Sequence, residues 1–283
     1  MARDRGLYLR RRVANGAMHV LALLSALFGL VWLFWILTVL VQKGVPAINW
    51  DFFTKLPTPP GTPGGGLANA VAGSLMITLL ATLIGVPAGV LAGTYLAEFG
   101  RKNALARVAR FVSDVLVSAP SIVVGVFVYA VVVMPLHGFS GFAGAVALAI
   151  IMVPVVIRTT EEILNLVPDS LREAALALGA PHWKVILSVC YRRALAGMTT
   201  GILLAVARVS GETAPLLFTA LNSPFWSPSL AKPVATLNVT LFNYAMSPYD
   251  DWRNLAWGAA LLITLGVLFA TILARVVVGR IRI

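Results

Sequence analysis

The chain has 283 residues, 59% of them hydrophobic and only 12% charged, with a formal net charge of +11 and a mean hydropathy of +0.89. Soluble domains carry about twice that share of charge. The composition therefore excludes a soluble enzyme and a disordered chain, and with Cys190 the one cysteine it also excludes a secreted disulfide scaffold. The basic residues sit beside apolar runs, which points to a membrane surface rather than to nucleic acid.

A membrane helix needs about 20 mostly apolar residues to cross about 30 Å of hydrocarbon. Runs of that kind begin near Met18, Val71, Val115, Phe142, Leu195 and Leu255, which predicts an all-α polytopic protein with six transmembrane helices. The first run is too long for a signal-peptide core and no small-residue cleavage site follows it. It reads as an anchor over 18–42, after a tail of 1–17. Arg10-Arg11-Arg12 reads as a topology signal, because Val13-Ala14-Asn15 continues a twin-arginine export signal poorly. Residues 43–69 form a Pro/Gly-rich loop, densest from Pro57 to Gly66, with little regular structure expected. Five further spans occupy 70–276, and 277–283 form a second tail.

Positive charge sets the direction. Arg3, Arg5, Arg10, Arg11 and Arg12 in the tail, Arg101, Lys102, Arg107 and Arg110 after the second run, Arg158, Arg172, Lys184, Arg192 and Arg193 after the fourth, and Arg275, Arg280 and Arg282 at the end share one side. Lys43, Lys55, Lys232 and Arg253 take the other, so both termini are expected in the cytoplasm. Arg208 belongs to neither side. The external segment 222–253 carries Phe225, Trp226, Tyr244, Tyr249 and Trp252, which suit a headgroup belt or a docking surface. Asp114, at the start of the third run, reads as interfacial.

No GxxxxGK[ST] stretch exists, so the chain does not cradle a nucleotide by the P-loop route. His19, His137 and His182 lie in different segments, and no His/Cys cluster supports a metal site. Gly138-Phe139-Ser140-Gly141 has the GxSG form of rhomboid-like intramembrane serine proteases, but the one later histidine, His182, falls on the opposite side of the membrane from Ser140.

The connection after the fourth span, about 161–193, is the most informative. Pro168-Asp169 ends one element, and Ser170-Leu171-Arg172-Glu173 has capping-box spacing. Leu171, Ala174, Ala175 and Leu178 share one face of a short helix. Gly179 is placed to terminate it, Pro181 prevents its continuation and Trp183 starts another. On these residues alone the helix either docks a partner or merely joins two spans.

Glu173 to Gly179, EAALALG, resembles the EAA loop of bacterial ABC-importer permeases, although Val189-Cys190-Tyr191-Arg192 departs from the family's I-x-L-P ending. From about Ala68 onward the chain is similar to the phosphate-permease subfamily PstA. The similarity lies in GSLMITLLATLIGVPAGVLAGTYLAEFG from Gly73, SAPSIVVGVFVY from Ser118, VPVVIRTTEEILNLVPDSLREAALALGAP from Val153 and ARVSGETAPLLFTA from Ala207. The resemblance implies a MetI-like (type I importer) fold and a bacterial inner-membrane location. It also implies phosphate as substrate and a partner permease (PstC), an ATPase dimer (PstB) that binds ATP and Mg, and an extracytoplasmic phosphate-binding protein (PstS). Glu173, Ala174, Ala175 and Gly179 would then form the coupling helix that meets the ATPase. Alternatives are a permease for another oxyanion such as sulfate or phosphonate, and the rhomboid-like protease.

Arg208 and Glu212 are expected about midway along the fifth span, four residues apart on one face. Arginine at a helix centre costs about 2.5–3.5 kcal/mol, so such residues usually face a cavity or a partner. Pro215 should bend the helix at Gly211, leaving room beside a fork of donors for a tetrahedral oxyanion. A substrate-pathway role is favoured over a mutually neutralising structural pair. Arg158, at the inner end of the fourth span, reads either as a pathway residue or as a snorkelling cation.

Overall fold

The computed structural model describes residues 2–100 and 103–281. Arg101, Lys102 and Arg282, which entered the charge reading, lie outside them, as do the side chains of Arg3, Arg5 and Arg280. Among the described residues every regular element is helical. Helix α1 (Ala2–Gly44) runs unbroken through the predicted boundary between tail and anchor. Its residues from 10 to 36 are exposed, and from Val20 onward they are apolar on nearly all sides, as a lipid-facing helix is. It meets the rest of the chain near its C-terminal end, where Gly44 approaches Leu261 and the Lys43 ammonium sits 5.3 Å from the Trp257 ring centre.

The loop 43–69 is more ordered than its composition predicts. A 3-10 turn (Val45–Ala47) precedes α2 (Trp50–Thr54), whose Asn49 cap accepts from the Phe52 amide at 2.9 Å. Phe52 and Leu67 are fully buried, because the loop folds back and the Leu67 amide donates to the Phe52 carbonyl. The proline stretch is fastened too: Trp252 Nε1 donates to the Thr58 carbonyl at 3.2 Å. Trp252 also stacks on Tyr244 with ring centres 4.3 Å apart, so these two aromatics clamp the loop instead of joining a headgroup belt. Burial pushes the Tyr244 phenol up to about 12.

Helix α3 (Ala68–Glu98) carries Gly85, Gly89 and Gly93 at every fourth position, which lets a second backbone approach closely. The predicted third span is corrected by the structure. Helix α4 (Ala104–Ser118) stops at Ala119, and α5 (Ser121–Val128, continued by a π turn over Tyr129–Val133) leaves at 105° to it. Pro120 is the cause, since it bars its predecessor from helical angles and Ala119 is extended. Residues 121–133 reach only about 20 Å, less than a bilayer core.

The fourth span is α6 (Gly141–Asn165), longer than its hydropathy suggests and packed along α3. Next comes α7 (Asp169–Ala177), and then a continuous helical stretch from His182 to Ser210. That stretch comprises α8 (His182–Val185), a π turn (Ile186–Cys190) and α9 (Tyr191–Ser210). Helices α10 (Ala214–Leu217), α11 (Leu237–Ala245) and α12 (Asp250–Ile281) complete the chain, α12 running through the predicted boundary at 276. Five helices are long and apolar enough to cross a membrane, and six if the bent α4–α5 pair counts as one. The main core joins Ile77 and Ala81 of α3, Leu148, Met152 and Val156 of α6, Ala205 and Val209 of α9, and Leu216 of α10.

Candidate functional site

Helix α7 starts at Asp169 with Pro168 before it, so Ser170 is inside the first turn and forms no cap. The capping box expected over Ser170–Glu173 is therefore absent, because an N-cap must stand one residue outside the helix. The other end matches expectation. Gly179 has φ +80°, its amide donates to the Leu176 carbonyl at 2.9 Å, and the Ala180 amide donates to the Ala175 carbonyl at 3.3 Å. That pair of bonds is the Schellman arrangement, which needs a residue tolerant of positive φ. The predicted apolar face divides: Leu171 and Ala175 pack on the cluster around Leu164 and Val167, while Ala174 and Leu178 are exposed. Leu178 is 89% exposed and Trp183 63%, beside an exposed Glu173. A rigid, small-residue turn carrying unburied apolar side chains is suited to receive a partner.

Arg172, counted in the sequence only as one positive charge, holds this helix in place. It is 8% exposed and pairs with Glu98 at 2.7 Å and with Asp169 at 3.2 Å. It also donates to the carbonyls of Leu164 (2.8 Å) and Val167 (2.5 Å). The hydrogen bond to Glu98 raises its pKa, so the guanidinium stays charged despite partial burial. The signal that could have found it was Glu98, a lone carboxylate at the C-terminal end of an apolar run.

The expected Arg208–Glu212 pair is not formed. Helix α9 ends at Ser210 with Gly211 as its cap, so Arg208 lies in the last turn and not midway along the helix, while Glu212 has left the helical face. Pro215 does not bend α9; it is buried in the first turn of α10, after a break at 211–213. There it meets α5 so closely that a Cβ on Gly125 would stand 2.7 Å from its Cα. The break is held open by Asn238, whose Nδ2 donates to the carbonyls of Ser210 (2.8 Å) and Glu212 (2.9 Å). Asn238 is 4% exposed, and sequence reasoning missed it. The Arg208 guanidinium is exposed and makes no ion pair or hydrogen bond with another described residue. Arg158 differs: it lies 3.0 Å from Glu162 and 3.7 Å from Asp114, so it is paired within its own chain.

Ser140 Oγ accepts from the Ala143 amide at 3.1 Å and caps α6, while His182 stands beside Phe99 at the C-terminal end of α3. A serine–histidine dyad is not assembled.

Long apolar helices, one of them ending at irregular backbone beside an exposed guanidinium, define a polytopic membrane protein. The family model for the binding-protein-dependent transport system inner membrane component matches residues 85–283. The chain belongs to this family, and with its apolar helices it is a multi-pass inner-membrane protein. It is 56% identical to the phosphate transport system permease protein PstA of Yersinia pestis, over 95% of this chain and 92% of that one. It is 53% identical to the protein of the same name from Pasteurella multocida, over 94% and 95%. The fold resembles that of a methionine ABC transporter in inward-facing conformations (TM-score 0.61, 18% identity, 76% of this chain and 94% of that one). It also resembles a bacterial transporter that imports alginate (TM-score 0.69, 13% identity, 93% and 95%).

Proposed function

We propose that this chain is the permease subunit that passes inorganic phosphate inward in an ATP-driven importer. The observation that carries the reading is identity above half, along nearly the whole chain, with proteins named as phosphate permeases. An unpaired guanidinium at the α9 break suits a tetrahedral oxyanion, because its planar fork donates two parallel hydrogen bonds. Helix α7 meets a separate cytoplasmic ATPase (PstB), a second permease (PstC) completes the path, and a phosphate-binding protein (PstS) docks outside. ATP and Mg belong to the ATPase. The test is uptake by the complex in vesicles, with ATP hydrolysis stimulated by the loaded binding protein. Phosphate should drive both; sulfate driving them equally would overturn the substrate.

Two predictions follow from the ends of this path. Gly179→Val should lower phosphate uptake per ATP hydrolysed, because a β-branched residue at φ +80° carries about 1–3 kcal/mol of strain and deforms the turn. A variant that assembles and transports at the normal rate would remove α7 from the coupling step. Both termini are cytoplasmic in this reading, so cysteines at Ser229 and Ser170, in a chain lacking Cys190, should label from opposite sides of the membrane. Same-side labelling would refute the topology.

A further inference from the structure

Two arginines hold the inner ends of α3 and α6 reciprocally. Arg110 of α4 donates to the Leu96 carbonyl at the end of α3 (3.0 Å) and pairs with Glu161 of α6 at 2.7 Å. Arg172 of α7 donates to the Leu164 and Val167 carbonyls at the end of α6 and pairs with Glu98, the last residue of α3. Each guanidinium donates to carbonyls at the end of one helix and binds the carboxylate of the other. The Glu98 side chain is 3% exposed, so water cannot replace its partner. Above the clasp the two helices touch through glycines. A Cβ on Gly89 would stand 2.6 Å from Val156 Cβ, and one on Gly93 2.6 Å from the Ile157 carbonyl oxygen.

Helix α9 is attached differently. Among the described residues no ion pair joins it to α3 or α6, and the side-chain hydrogen bond between them is one hydroxyl pair, Thr94 with Tyr191, at 2.8 Å. Cavities of about 670 and 310 Å³ lie between α6 and α9, lined by Ile163 and Gly197 in both cases. Moving α7 alone would take the guanidinium from a buried carboxylate and from the Leu164 and Val167 carbonyls. Moving α7 together with α3 and α6 past α9 breaks no ion pair; it disturbs one hydroxyl pair and packing contacts, among them Gly197 against Ile163 and Gly201 against Thr159.

We propose that the clasp makes α3, α6 and α7 one lever, with Arg172 and Arg110 as positioning residues that carry a displacement of α7 into both spans. This deepens the importer reading and rests on it. The decisive measurement is the distance between spin labels on Ser170→Cys of α7 and Leu91→Cys of α3 in the whole reconstituted complex, with the buried Cys190 left in place. It should stay within about 2 Å between the nucleotide-free and ATP-trapped states, and a larger change overturns the lever. Arg172→Lys keeps the charge without the fork, and Glu98→Gln removes the carboxylate. Either should lower phosphate uptake per ATP at least about five-fold while ATP hydrolysis continues. Unchanged uptake per ATP in an assembled variant overturns the proposal. If neither single variant assembles, Arg172→Gln with Glu98→Gln removes both charges together, and normal coupling in that assembled double variant equally overturns it. The label distance is read with ATP alone, so it decides the lever even if the unmodified complex proves not to move phosphate.

Discussion

Arg208→Gln should abolish phosphate uptake while leaving the chain inserted and the complex assembled. The structure sharpens this expectation, because Arg208 holds no carboxylate among the described residues. Its removal strands no buried charge, and the loss falls on whatever the guanidinium binds. Truncating one partner of a desolvated, hydrogen-bonded charge pair costs about 2–5 kcal/mol. Uptake should therefore drop by about two orders of magnitude or more. Arg208→Lys should recover part of it, keeping the charge but losing the fork. Adding Glu212→Gln to Arg208→Gln should restore nothing. Uptake and complex recovery measured side by side check this. A double variant transporting at the wild-type rate would return the residues to a purely structural role.

Gly73→Ala should produce the largest loss of folded protein from a single methyl group. A Cβ there would stand 2.0 Å from the Ala235 carbonyl oxygen and 2.5 Å from Val234 Cγ1, and a backbone oxygen cannot rotate aside. Overpacking of this kind costs about 1–3 kcal/mol or more. The damage reaches the site, because Ser74 Oγ accepts from the Leu237 amide at 2.8 Å and Leu237 precedes the Asn238 that holds the α9 break. Uptake should fall with yield. Gly16→Ala is the control: nothing lies within 4 Å in an exposed helix, so stability should be unchanged or improved by up to about 1 kcal/mol. Equal recovery of both variants from membranes would disprove the close approach.

The turn at Gly179 was legible because it is local. Gly179 and Pro181 act on their own backbone angles, and the Schellman bonds follow from the next few residues. The apolar spans were legible because the bilayer imposes a length that hydropathy alone can meet. Local rules failed where one residue outweighed a run. Pro120 broke a stretch that composition reads as continuous, and Gly211 ended α9 before Glu212 could face Arg208.

What the sequence determined by itself was a membrane protein, its number of apolar runs, its EAA turn and its family resemblance, since each depends on composition or on neighbours along the chain. Only the tertiary structure decided which arginines are occupied. Arg110 and Arg172 find carboxylates on other helices, while Arg208 finds none among the described residues. Glu98 and Arg172 are 74 positions apart, and Asn238 reaches carbonyls 26 and 28 positions away. The i,i+4 pair of Arg158 with Glu162 follows helix periodicity, but pairing between helices is set by which helix ends meet, and no periodicity within a helix encodes that.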